Sequence, residues 1–224
     1  MKFSLLLIAL GLAVLDWTAA SINRRRLRLL SKPMVMLAIL GWLWSIDGLT
    51  GQLLWFGAGI LFSLAGDMLL ALPKEEFMGG LIAFLLAHIA YIIGLNPTLP
   101  PIGLATLIII ALVIVAARGF YQQIERALTI KGNEKLKIPI LIYTTVISTM
   151  LISALMTLIR PDTDWPVASS LLVSAGALLF FISDAMLAWN RFVEKISRAD
   201  LKVIVAYHLG QVGIVLGAAL QFLK

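Results

Sequence analysis

Cysteine is absent from these 224 residues. That excludes disulfides, a thiolate nucleophile and thiolate metal sites. Histidine occurs only twice, as His88 and His208. Charge is scarce as well. Asp, Glu, Lys and Arg make up 13% of the chain, where a soluble domain carries about a quarter. What is present is apolar: hydrophobic residues reach 61%. An integral membrane protein is therefore expected. The net charge of +6 invites a nucleic-acid reading, but no basic face with interleaved aromatics is found, so no nucleic-acid partner is expected. The basic residues instead sit in short loops between apolar runs, as inner loops of membrane proteins do.

The apolar runs predict an all-α fold, a polytopic transmembrane bundle of about eight helices. Expected spans are 3–20, 33–48, 52–72, 77–95, 101–118, 138–159, 166–189 and 200–222, most near the ~20 residues that cross a bilayer core. The whole chain, 1–224, reads as one membrane domain. Turn chemistry marks the breaks: Asp47-Gly48, Pro73, Asn96-Pro97, Pro100-Pro101, Lys131-Gly132-Asn133 and Arg160-Pro161-Asp162. Residues 3–20 resemble a signal peptide ending at Thr18-Ala19-Ala20. Asp16 and Trp17 interrupt the run, however, and Arg24, Arg25, Arg26 and Arg28 follow it, so a retained helix is expected. Loop charge tests the span count. Of 18 Lys and Arg, only Lys2, Arg160 and Lys224 fall on one side. The positive-inside rule then places both termini outside the cytoplasm.

The two halves, 1–100 and 101–224, look related. Ser63-Leu64-Ala65-Gly66-Asp67 and Ile182-Ser183-Asp184 each precede a Leu-Ala pair, Leu70-Ala71 and Leu187-Ala188. Four spans per half gives a parallel repeat. Trp42, Trp44, Trp55, Trp165 and Trp189 read as interfacial belt anchors.

Asp67 and Asp184 draw most attention. A carboxylate in a bilayer costs about 2.5–3.5 kcal/mol on insertion scales, so one kept inside a span marks a function. Both fall about five residues before the basic end of their spans. His88 lies eleven residues into its span, roughly 16 Å at helical rise. Tyr143, Tyr207, His208 and Gln211 lie one to two turns from the same end, and Lys32 and Asp16 mark its mouth. Ser63 shares a face with Asp67, His88 with Tyr91, and Tyr207 with Gln211, by i,i+3 or i,i+4 spacing. His208 points about 100° from Tyr207, so Tyr207 is favoured for the site. Asp16 reads as an interfacial partner of the arginine cluster.

The ordered set Lys32-Pro33, Phe62-Ser63, Gly66-Asp67, Phe77, Gly80, Phe84, Ala87-His88, Tyr91, Tyr143, Gly176-Ala177, Phe180, Ser183-Asp184, Phe192, Tyr207 and Gln211 resembles the YhhN family of membrane proteins, which includes the animal lysoplasmalogenases. His208 departs from it, since a second aromatic is expected there. The resemblance implies a multi-span enzyme that hydrolyses the vinyl ether bond of a lysophospholipid. Products would be a fatty aldehyde and a glycerophospho-base. Two carboxyls in unlike settings can divide acid and base roles. The catalytic set expected is Asp67, Asp184, His88 and Tyr207, with Asp184 favoured as acid. Lys32, Ser63, Tyr91, Tyr143, Ser183 and Gln211 are expected to bind substrate, Lys32 through the lipid phosphate. No metal or cofactor is expected, and the location expected is a bacterial inner (plasma) membrane. Two other readings compete: a zinc hydrolase using His88, His208, Asp67 and Asp184, and a proton-coupled transporter.

Overall fold

In hydrocarbon a backbone N–H or C=O has no water to bond, so a spanning segment must satisfy its own backbone, and the helix does this. The computed structural model describes residues 4–72, 76–98, 100–160 and 164–223, apart from the side chains of Arg25 and Asp47. Among them are eight helices long and apolar enough to cross a membrane. These are α1 Ser4–Ser21, α2 Arg25–Asp47, α3 Leu53–Ala71, α4 Phe77–Leu95, α5 Leu104–Ile130, α6 Lys137–Met156, α7 Val167–Ala188 and α8 Ala199–Phe222. No described residue lies in a strand. The turn markers Pro73 and Pro161-Asp162 lie outside the described residues.

Two boundaries differ from expectation. Helix α2 starts at Arg25 rather than near residue 33, so Pro33 sits within it and Lys32 lies two turns inside. Proline forfeits one backbone bond, yet the helix continues across it. Of the arginines that looked like a loop, Arg25, Arg26 and Arg28 form its first turn, with Arg24 as the residue before it. Helix α5 runs to Ile130 rather than 118. No proline interrupts 119–130, and Ile124 and Leu128 bury themselves against Ile140 and Phe192.

The closest helix pair is α7 with α8, followed by α3 with α4 and then α1 with α2. Glycine explains the first. A β-carbon at Gly176 would stand 2.5 Å from the Ile214 amide nitrogen and 2.8 Å from the Gly210 carbonyl oxygen. The two backbones touch there, as at small-residue crossings in membranes. Serines fasten the pair at both ends: Ser169 Oγ donates to the Gly217 carbonyl at 2.5 Å, and Ser183 Oγ to the Val203 carbonyl at 3.0 Å. Below Asp184, α7 loosens into a π-turn at Trp189–Val193. Lys131 Nζ holds that turn by donating to the Phe192 carbonyl at 2.7 Å.

The tryptophans divide. Trp44 is largely exposed, as an interfacial anchor should be, but Trp42 is completely buried in the core. A belt position for Trp42 is therefore ruled out. It sits on the inward stripe of α2 with Val35, Met36, Ile39 and Leu43.

Candidate active site at the basic end of the bundle

Two residues on α3 meet two on α8. Asp67, 2% exposed, accepts a hydrogen bond from Tyr207 Oη at 2.8 Å. One turn deeper, Gln211 Nε2 donates to Ser63 Oγ at 2.9 Å. The i,i+4 spacing on both helices puts each pair one turn apart on a shared face, which makes this ladder possible. From α2, Lys32 Nζ lies 2.6 Å from the other oxygen of Asp67 and 5.3 Å from the centre of the Tyr207 ring. From α4, Tyr91 Oη donates to Gln211 Oε1 at 2.5 Å. Asp67 is thus the carboxylate with a standing counter-ion.

Asp184 has a different setting. Tyr143 Oη, from α6, donates to its Oδ2. His88 Nε2, from α4, stands 3.0 Å from Tyr143 Oη and 3.3 Å from Asp184 Oδ2. His88 is fully enclosed, with Phe180 edge-on at 4.7 Å between ring centres. The Asp184 side chain keeps 14% exposure.

Phe84 and Phe180 pack edge-on against Tyr207, with ring centres 6.0 Å and 5.3 Å from it. Among the described residues no direct hydrogen bond joins the two carboxylates. They do not share one proton across a short contact; each has its own partners.

Two openings lead inward. A slot enclosing about 710 Å³, its open mouth included, is walled mainly by apolar side chains from α4, α5, α6 and α7, with Tyr143 and Asp184 as polar features in its wall and Arg191 among its lining. A more polar vestibule of about 930 Å³, open solvent included, is lined by Asn23, Arg28, Lys32, Asp67 and Asp200 together with Leu29, Leu70 and Ala71. Leu70 belongs to the walls of both. It fits there because Gly80 lacks a β-carbon, which would stand 2.6 Å from Leu70 Cδ2. Gly66 makes the same room for Phe84, whose ring would meet an added β-carbon at 2.6 Å.

The expected residues therefore fall into three groups. Asp67, Lys32, Asp184 and Tyr143 border an opening. Tyr207 and His88 hold the carboxylates from behind. Ser63, Tyr91 and Gln211 form a fully buried polar support one turn deeper. Ser183 stands apart: its hydroxyl is engaged by the α8 backbone, and it lines neither opening. Ser183→Ala is accordingly expected to cost about 1 kcal/mol of stability, the worth of an ordinary hydrogen bond. Turnover should stay within about twofold of wild type. A thermal melt beside an activity assay checks both.

His208 faces α1, where its Nδ1 accepts from Trp17 Nε1 at 3.2 Å. The four ligands of the zinc reading therefore do not converge. No group of three or more His, Asp or Glu able to hold a metal occurs among the described residues. Asp16 differs from expectation too. It is not an interfacial partner of the arginines. It is fully buried and accepts from Ser31 Oγ at 2.5 Å. Three contributors escaped sequence reasoning: Leu70, Arg28 and Asp200. Leu70 stood out only as part of the Leu-Ala pair that matches Leu187-Ala188, with nothing to tie it to the site. Arg28 had one, since it lies one helical turn before Lys32.

The sequence profile of the YhhN family matches residues 27–218. The chain is 31% identical over 192 residues to "Lysoplasmalogenase TMEM86B" of Sus scrofa, covering 85% of this chain and 74% of that protein. It is 29% identical over 207 residues to the Homo sapiens protein of the same name, covering 91% and 76%. It is 33% identical over 145 residues to "Lysoplasmalogenase" of Mycobacterium bovis, covering 62% and 50%. No solved structure gives a significant match.

Proposed function

This chain belongs to the YhhN family, and from that premise we propose that it is a membrane-embedded lysoplasmalogenase. It hydrolyses the vinyl ether of a lysophospholipid to a fatty aldehyde and glycerophosphoethanolamine or glycerophosphocholine. One observation carries the reading. A polar opening that reaches Asp67 and an apolar slot that reaches Asp184 share a wall at Leu70. A lysolipid has the same two-part character, one charged head and one long chain, with the scissile bond at their junction.

The chemistry needs a proton donor at carbon and an anion beside the cation that results. Asp184 supplies the first. Its proton forms a C–H bond at the alkene carbon farther from oxygen, using the π electrons, and the ether oxygen shares the positive charge as an oxocarbenium ion. Asp67 supplies the second. Water attacks the carbon bonded to oxygen, and Asp67 takes the proton it releases. The hemiacetal then collapses: Asp67 passes its proton to the departing glycerol oxygen, the hydroxyl gives its proton to Asp184, and the carbon that was bonded to the ether oxygen becomes the aldehyde. One water is consumed overall. A carboxylate beside a developing cation acts most strongly where water is excluded, and the phenylalanines around the site provide that. His88 and Tyr143 aim Asp184, while Lys32 and Tyr207 aim Asp67. The basic end faces the cytoplasm and both termini lie outside, by the distribution of Lys and Arg.

Tyr207→Phe separates orientation from chemistry. Losing the 2.8 Å bond to Asp67 is expected to lower kcat by about 10- to 100-fold, as removal of one hydrogen bond to a charged group does. KM should change little. An unaltered kcat would remove Tyr207 from the site. The reading as a whole is tested by giving the detergent-purified protein lysoplasmenylethanolamine and following aldehyde. Folded protein that releases none would refute it.

A further inference from the structure

We infer that Arg28 and Lys32 form the subsite for the phosphodiester of the lipid headgroup, and that Asp200 occupies Arg28 until the lipid arrives. The inference rests on the lysophospholipid reading above.

Arg28 and Lys32 are four residues apart on α2 and both border the vestibule. Each is already engaged, but differently. Lys32 reaches inward to Asp67 at 2.6 Å, with its side chain 23% exposed. Arg28 turns outward to Asp200, on the first turn of α8, with Nη1 2.7 Å from Oδ2. The Asp200 side chain is 66% exposed, so this is a surface ion pair of the kind that contributes little and exchanges readily. The Arg28 Nε is buried and has no hydrogen-bond acceptor. A guanidinium bound through Nη1 alone, with Nε unused, offers the fork that a phosphate oxygen pair accepts. No other described residue presents a cation to this vestibule.

The geometry also fixes direction. The vestibule contains Asp67 and Leu70, and Leu70 faces the apolar slot on its other side. A phosphate at Arg28 and Lys32 would place the glycerol toward Asp67 and the alkenyl chain beyond Leu70. Arg28 is then a specificity residue. It selects a phosphorylated substrate without touching the reacting atoms.

The test compares two substrates: lysoplasmenylethanolamine, and the 1-O-alkenylglycerol of the same chain length, which lacks phosphate. Wild type should prefer the phosphorylated lipid in kcat/KM. Arg28→Gln should lose about 10- to 100-fold on that lipid, mostly through KM, the worth of hydrogen bonds to a charged group. It should act on alkenylglycerol at the wild-type rate, which also shows that the variant folds. Asp200→Asn should do the opposite and lower KM for the phosphorylated lipid severalfold. Glycerophosphoethanolamine should inhibit wild type more strongly than Arg28→Gln, and inorganic phosphate should inhibit neither at equal concentration if the site reads a lipid headgroup. Equal losses on both substrates in Arg28→Gln, or a raised KM in Asp200→Asn, would show a structural ion pair and overturn the subsite while leaving the hydrolase reading intact. Failure of wild type to release aldehyde from either substrate would overturn both.

Discussion

Asp184→Asn is expected to reduce aldehyde release by about 10³-fold or more. A general acid contributes roughly 10²- to 10⁴-fold, and an amide cannot deliver its proton to carbon. The fold should survive. Asparagine keeps the shape and an acceptor oxygen for Tyr143 and His88, whose contacts with Oδ2 are the polar partners of this side chain. Asp67→Asn should be comparably inactive for a different reason. It leaves the Lys32 ammonium, 2.6 Å from Asp67 Oδ1, without its counter-ion, so the site that should stabilise a cation becomes net positive. Aldehyde release and thermal melts on both variants check this. Rates within tenfold of wild type in Asp184→Asn, at unchanged stability, would exclude it as the acid.

The second large effect concerns folding. Gly176→Val is expected to destabilise the bundle by about 3 kcal/mol or more, at or beyond the upper range for overpacking. The β-carbon would meet the Ile214 nitrogen at 2.5 Å and the Gly213 carbonyl carbon at 2.8 Å. Backbone cannot step aside as a side chain can, so α7 and α8 must separate. Asp184 rides on the first of these helices and Tyr207 on the second, so activity should fall with stability. Gly41→Val is the control. Nothing lies within 4 Å of a β-carbon at Gly41, so it should change stability by less than about 1 kcal/mol. Melting temperatures of the two variants in one detergent decide the matter, and equal losses would refute the account of the α7–α8 crossing.

The sequence announces the bundle because hydrocarbon leaves a spanning segment few choices. Twenty apolar residues between polar turns can do little but form a helix. It announces Asp67 and Asp184 for the converse reason, since a carboxylate in such a helix is costly. Boundaries at the basic end are less legible. The first two turns of α2 and the last three turns of α5 are polar enough to read as loops, and only their packing shows them as helix. Pairings are least legible. Nothing in the local sequence says that Asp16 meets Ser31, that Arg28 meets Asp200, or that Leu70 stands between two openings, because each depends on how separate helices pack against one another. The proposed duplication gains a geometric argument. Asp67 of the first half is bound by Tyr207 from α8, the fourth helix of the second half. Asp184 of the second half is contacted by His88 from α4, the fourth helix of the first. A parallel repeat in which each half completes the other's site would have this exchange.

The central claim is that the enzyme protonates carbon. The most direct measurement runs the hydrolysis of lysoplasmenylethanolamine in D2O, reduces the aldehyde as it forms and weighs the alcohol by mass spectrometry. One deuterium on the carbon next to the former aldehyde carbon, at full chain length, is the predicted result. It is the atom that Asp184 delivers. An aldehyde of full length without that deuterium, or one shortened by a carbon, would contradict the mechanism.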